Sequence, residues 1–229
     1  MKKFLVVGLG NFGMNVSKSL MESNCEVLGI DKDKDNVQRA KDILSHALVG
    51  DASNRSVIMS LPVKDFDGAI VSIGQEMGPS ILISLYLQEM GIRHIVARAI
   101  SEDHVKVLEL LGITEIIFPE RDIAIRLGKK LSMKNALDYL PLTEDYIILE
   151  VTPPQSFRGK NLKELEISAK YSCQVLGIRY PAPAGKKRAK TGNGYITKMA
   201  PSGNDTVEEG SIMIVLGKMV DVEKLQRQK

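Results

Sequence analysis

The sequence predicts an α/β protein: a doubly wound parallel sheet followed by a second, smaller α+β domain. Three observations carry this expectation. From Lys3 to about Phe118, short β-branched runs alternate with longer amphipathic stretches, the pattern of strand–helix units that wind a parallel sheet. A glycine-rich turn joins the first run directly to the first amphipathic stretch. Near Tyr139-Leu-Pro-Leu-Thr143 the composition changes, and a β-rich segment begins that does not extend the first pattern. The boundary is therefore placed to give domains 1–138 and 139–229.

Six strands are expected in the first domain: Phe4–Val7, Glu26–Ile30, Ala47–Val49, Gly68–Val71, His94–Ala97 and Glu115–Phe118. Pairs such as Val16 with Leu20, Ile81 with Leu85 and Val107 with Leu111 have the helical spacing that cover for both sheet faces requires. Asp33, Ser53 and Ser101 precede periodic stretches and can accept bonds from the free amides of a first turn. Pro119-Glu120-Arg121-Asp122 marks another start, with proline in the first turn and acids at the positive end of the helix dipole. That helix carries Ile123, Leu127 and Leu131 as an apolar stripe and small Ala124 and Gly128 on a further face, so it reads as a crossover or dimerisation helix.

In the second domain, Tyr146–Val151, Cys173–Ile178 and Ile212–Leu216 read as strands, Leu162–Ala169 as one short helix, and Val220–Gln226 as a closing helix. Pro181–Gly194, rich in Pro, Gly, Lys and Arg, reads as a mobile hairpin connection. Composition narrows the function classes. With 44% hydrophobic and 26% charged residues the chain is a globular protein, and its net charge of +3 lacks the footprint of a dedicated nucleic-acid binder. Two distant cysteines, Cys25 and Cys173, form neither a disulfide framework nor a zinc site and point to a reducing, cytosolic setting. The N-terminal apolar run is too short for an export signal, and no stretch approaches the roughly 20 apolar residues of a membrane span. If the protein acts at a membrane, another chain must span it.

Gly8-Leu9-Gly10-Asn11-Phe12-Gly13 comes directly after the first strand and opens the first helix, the context that gives this glycine spacing meaning. Gly8 permits the tight turn, Gly10 lets a phosphate approach the backbone, and Gly13 allows close packing of helix on strand. Asn11 and Phe12 lie in the helix start, where free amides receive an anion. Asp31, with Lys32 beside it, ends the second strand eighteen residues after Gly13, close to the roughly 20-residue spacing at which an acid accepts bonds from ribose hydroxyls. Its charge also repels a 2′-phosphate, which argues against NADP but does not separate NAD from ATP, ADP or AMP. Asp51-Ala52, Ser72-Ile73-Gly74 and Arg98 come after the third, fourth and fifth strands and should converge on the same crevice. Asp51 either accepts a bond from an adenine amino group or caps the next helix. Arg98 is read as a phosphate partner, against a plain surface arginine. Glu120 either favours the helix dipole or lies near phosphates through a metal cation.

Together these residues resemble the cytosolic regulatory subunits of potassium transport systems of the TrkA/KtrA type, built from RCK (KTN) domains. The resemblance rests on Val7–Gly13, Gly29-Ile-Asp31, Gly50-Asp-Ala52, Val96–Ala99, Leu108–Gly112 and Ile117–Asp122, and in the second part on Leu162–Ala169, Tyr171–Ile178 and Glu209–Gly217. It implies a cytoplasmic homodimer that assembles into a tetrameric or octameric ring, peripheral at the inner face of the cell membrane, on an integral membrane potassium-conducting subunit of the TrkH/KtrB type. It further implies that an adenine nucleotide (NAD, NADH, ATP, ADP or AMP) biases the ring, with a divalent cation near Glu120. Cyclic di-AMP is a ligand of some C-terminal domains of this family. Asn11 departs from relatives that carry arginine there, which puts a preference for ATP over ADP in doubt.

Two other function classes compete. A nucleotide-binding domain followed by a second domain is also the plan of an NAD-dependent oxidoreductase, but the second domain holds no histidine, and His46, His94 and His104 read as structural. DNA binding through Lys186-Lys187-Arg188 and Lys190 is weaker than the reading of a solvated loop.

Overall fold

The computed structural model describes residues 1–62, 64–74, 76–113, 115–132, 136–143, 145–182 and 194–228. They form two compact units, Met1–Asp122 and Ile123–Lys229. The division falls inside a helix and earlier in the chain than the composition change at 138/139, because residues 123–132 group by their contacts with the C-terminal part of the chain.

The first unit runs β1 (Lys3–Val7), α1 (Asn11–Glu22), β2 (Glu26–Asp31), α2 (Lys34–Ala40), β3 (His46–Val49), α3 (Arg55–Met59), β4 (Gly68–Val71), α4 (Met77–Glu89), β5 (Ile95–Arg98), α5 (Glu102–Leu110), β6 (Glu115–Ile117) and the start of α6 (Pro119–Ser132). All six strands pair in parallel, in the order β3-β2-β1-β4-β5-β6, so the winding reverses between β1 and β4. Strand alternation sends Leu5, Val7, Ile30 and Val71 to one face, where Ile83, Leu87 and Leu108 cover them. Val6, Val27 and Ile70 go to the other, where Leu9, just past the end of β1, joins them against Val37 and Ala40. Each such side chain contributes about 1.5–3 kcal/mol on full burial.

Helix starts agree with the capping chemistry, with one correction. Asp33 accepts from the Asp35 amide and Ser101 from the His104 amide, as their positions imply. Ser53 is not the third cap. Asn54 takes that place, accepting from the Ser56 amide, while the Ser53 hydroxyl is drawn to Asp51.

The second unit holds β7 (Ala136–Pro141), β8 (Tyr146–Val151), a 3-10 turn (Gln155–Phe157), α7 (Leu162–Leu165), α8 (Ile167–Tyr171), β9 (Gln174–Pro181), β10 (Tyr195–Met199), β11 (Ile212–Lys218) and α9 (Met219–Gln226). Its sheet is antiparallel, ordered β10-β9-β11-β8-β7. Ile147, Leu149, Val151, Met213 and Val215 line its core with Phe157, Leu165, Ile167, Val222 and Leu225. Two strands, β7 and β10, were not expected from sequence, and both are sheet edges. The single helix expected over Leu162–Ala169 is two, because Glu166 adopts a left-handed conformation (φ 47°) that ends α7 after its capping box at Asn161 and Glu164. The basic cluster at 186–190 lies outside the described residues. Cys25 and Cys173 are both free, and burial together with nearby Asp221 raises the Cys173 thiol to about 11.

One buried group makes stability pH-dependent. His104 is fully buried on α5, neither ring nitrogen has a hydrogen-bond partner among the described residues, and burial pushes its pKa below the ordinary value of 6.5. The unfolded chain therefore binds the proton that the folded one refuses, so stability is present above pH 6.5 and declines as pH falls toward the lower folded pKa. His104→Leu is expected to lose less melting temperature than wild type between about pH 7 and 5, the range below the unperturbed histidine pKa, in parallel thermal melts.

Candidate functional site

The glycine elbow is held by bonds that only this fold supplies. Gly8 has φ +93°, a conformation L side chains rarely adopt; its amide donates to the Ile30 carbonyl at 2.8 Å and its carbonyl accepts the Ser72 hydroxyl at 2.5 Å. β1 is thereby tied to β2 and β4 at the point where strand order reverses. Gly13 packs against that junction: a Cβ there would lie 2.5 Å from Ser72 Oγ and deeper still in the Gly8 carbonyl. Gly10 differs. It is the N-cap of α1 with φ −65°, no side chain caps the helix, no acid occupies its first turn, and an added Cβ would meet nothing within 4 Å. The helix thus presents its first amides to open space.

Asp31 ends β2 and faces the elbow. Its Oδ2 accepts from the Leu9 amide at 2.6 Å and the Asn36 side-chain amide at 3.0 Å, and its Oδ1 from the Asp33 amide at 2.8 Å. A carboxylate offers about four acceptor positions, so one stays open toward a ligand hydroxyl. Asp51, after β3, accepts the Ser53 hydroxyl at 2.6 Å and the Ser53 amide at 3.0 Å. These two bonds hold its pKa below the ordinary carboxylate value. The alternative in which Asp51 caps α3 is replaced by this turn, since Asn54 is the cap.

Arg98 ends β5 with its guanidinium over the Phe12 ring, 5.5 Å from the centroid, and bonded to Glu120 at the start of α6. It also lies against Gly74, where an added Cβ would come within 2.5 Å of Nη1. The buried Arg98 Nε has no partner among the described residues. Arg98 is thus no plain surface residue. Glu120 meets a guanidinium rather than further acids, and among the described residues no three His, Cys, Asp or Glu side chains converge as a metal site. A cation at Glu120 would therefore need oxygens from outside these side chains.

These residues surround a cavity of about 820 Å³ above the carboxyl ends of the strands. Every residue expected at the site lines it except Gly13, which lies beneath: Gly8, Gly10, Asn11, Phe12, Asp31, Lys32, Asp51, Ala52, Ser72, Ile73, Gly74, Arg98 and Glu120. Asn15, Asp33, Asn36 and Glu76 also line it and were missed. Asn15 was findable, one helical turn beyond Asn11 on the same face. The other three are brought in by where α2 and α4 begin.

Fold and cavity define a doubly wound α/β domain with an open cleft where its strand order reverses, and residues 4–119 match the TrkA-N domain family. The chain is 34% identical to Ktr system potassium uptake protein C of Bacillus subtilis (strain 168), over 99% of this chain and 96% of that protein. It is 32% identical to Ktr system potassium uptake protein A of Vibrio alginolyticus, over 94% and 92%. The chain belongs to this family of TrkA-N potassium uptake proteins. These near full-length relatives are potassium uptake proteins rather than oxidoreductases, and the oxidoreductase alternative gives way to them. Among solved structures, the GsuK channel bound to NAD superposes with TM-score 0.65 at 16% identity, covering 98% of this chain and 39% of that one. The Kef C-terminal domain of Shewanella denitrificans in AMP-bound form gives 0.50 at 23% identity, over 56% of this chain and 77% of that one. At these identities the likeness is one of fold. No helix among the described residues is long and apolar enough to cross a membrane.

Proposed function

We propose that residues 1–138 form an adenine-nucleotide sensor that, through residues 139–229, gates the potassium-conducting membrane partner of its uptake system from the cytoplasmic face. The open Gly10 cradle at the amide end of α1 carries the reading. The elbow and α1 hold the phosphates, Asp31 the ribose, Asp51 and Ala52 the base, and Arg98 a phosphate oxygen. The residues fit this group, and two structures of like fold are named with NAD and AMP bound. A divalent cation would take Glu120 together with the nucleotide's own oxygens. The working assembly is a homodimer joined into a ring of four or eight, with cyclic di-AMP as a further ligand of the C-terminal domain. A nucleotide shifts such a ring only by binding its two shapes with different affinity.

Gly10→Val tests the reading, because a Cβ at this position meets no protein atom within 4 Å and the side chain starts out into the open space proposed for the phosphates. At a hundredfold excess over Kd the wild type is expected to gain about 2.7 kcal/mol, roughly 5–10 °C, with at least one of NAD, NADH, ATP, ADP or AMP. The variant should melt a few degrees below the wild type, as loss of an N-cap glycine implies, and show no gain. No shift in the wild type with any of the five would end the proposal. In vesicles holding the membrane partner, potassium flux should change with the nucleotide for the wild type only.

A further inference from the structure

The cavity walls carry more acid than base, which is unusual for a site that takes phosphates. On the β2 and β3 side, Asp31, Asp33 and Asp51 face Lys32; on the β4 and β5 side, Glu76 and Glu120 face Arg98. Most of these acids are already engaged. Asp31 and Asp51 accept from neighbouring amides, Asp33 caps α2, and Glu120 is paired with Arg98. Glu76 stands apart. It occupies the N-cap position of α4 without making a capping bond, and among the described residues it has neither a hydrogen-bond nor an ion-pair partner.

Its side of the cavity defines what it meets. A dinucleotide laid across the elbow, with one ribose at Asp31, sends its second nucleoside toward β4 and β5, past Ser72, Ile73 and Gly74. We infer that Glu76 is a specificity-determining residue that makes the cavity prefer an oxidised nicotinamide dinucleotide, whose ring is cationic, over the reduced form, whose ring is neutral. This rests on the nucleotide reading above. A third phosphate in the same half-cavity would meet Glu76 and Glu120 against the single cation Arg98, so a cation-free triphosphate is disfavoured by the same field.

Isothermal titration of the full chain with NAD and NADH tests the inference. At low salt the wild type should favour NAD by about three- to fivefold, the scale of one part-exposed charge pair. The preference should shrink in 1 M salt, where the screening length is only about 3 Å. Glu76→Gln should bring the ratio close to unity, and Glu76→Lys should reverse it. A ratio unchanged in both variants overturns the inference and leaves Glu76 as a dipole-facing acid. Binding of AMP without either dinucleotide overturns it too, while the nucleotide reading stands. Failure of NAD, NADH and AMP overturns it as well, and the nucleotide reading falls with it only if ATP and ADP also fail to bind.

Discussion

Gly13→Ala is expected to lower stability by on the order of 3 kcal/mol and to abolish nucleotide binding. The methyl group has no free volume: its position falls inside the Gly8 carbonyl and 2.5 Å from Ser72 Oγ. Either α1 lifts from β1, or the Ser72–Gly8 bond breaks and leaves a buried carbonyl without its donor. For a chain of this size the loss corresponds to a melting point lower by roughly 6–12 °C, read in a thermal melt. Titration with an adenine nucleotide, run well below that midpoint, should then show no heat. Gly10→Val, three residues away, should spare the fold and lose only the ligand. A stable Gly13→Ala that still binds would mean that the elbow is not the rigid part of this site.

Asp31→Ala is expected to act on both fold and ligand. Three donors lose their acceptor at once, and the Leu9 amide belongs to a fully buried residue that cannot turn to water. Leaving that amide unpaired, with a charge-assisted bond gone, costs roughly 2–4 kcal/mol. Loss of the ribose contact proposed for Asp31 is expected to weaken nucleotide binding by on the order of a hundredfold, since bonds to charged groups contribute about 1.5–3 kcal/mol each. Denaturant unfolding and calorimetry separate the two effects. Asp31→Asn should be intermediate in both, because an amide keeps one oxygen but adds donors where the Asp33 amide already donates. Reduced stability with unchanged affinity would confine Asp31 to pinning the loop.

Much of the first unit was legible because its signals are local. A strand buried on both faces is a short apolar run, a left-handed turn needs glycine at Gly8, and an acid at the end of the next strand is a matter of spacing. The second unit was less legible. Both unforeseen strands sit at sheet edges: β10 is almost wholly exposed, and β7 ends in Pro141, which an edge tolerates. Helix α6 reads as amphipathic in sequence, yet it buries no described residue within this chain: Ile123, Leu127 and Leu131 are 60%, 51% and 74% exposed.

The sequence by itself determined the strand–helix rhythm, the glycine elbow, the acid beside it and the family to which they point, because each depends on residues near one another in the chain. Only the tertiary structure decided that Arg98 is shared by Phe12, Gly74 and Glu120, that Asn15, Asn36 and Glu76 join the cavity, and that Asp51 turns to Ser53. Most of those relations are set by the placement of β4 beside β1, of β5 next to β4, and by where the adjoining helices begin. Such neighbours are made by burial of the whole sheet, and the spacing of residues along the chain does not encode them.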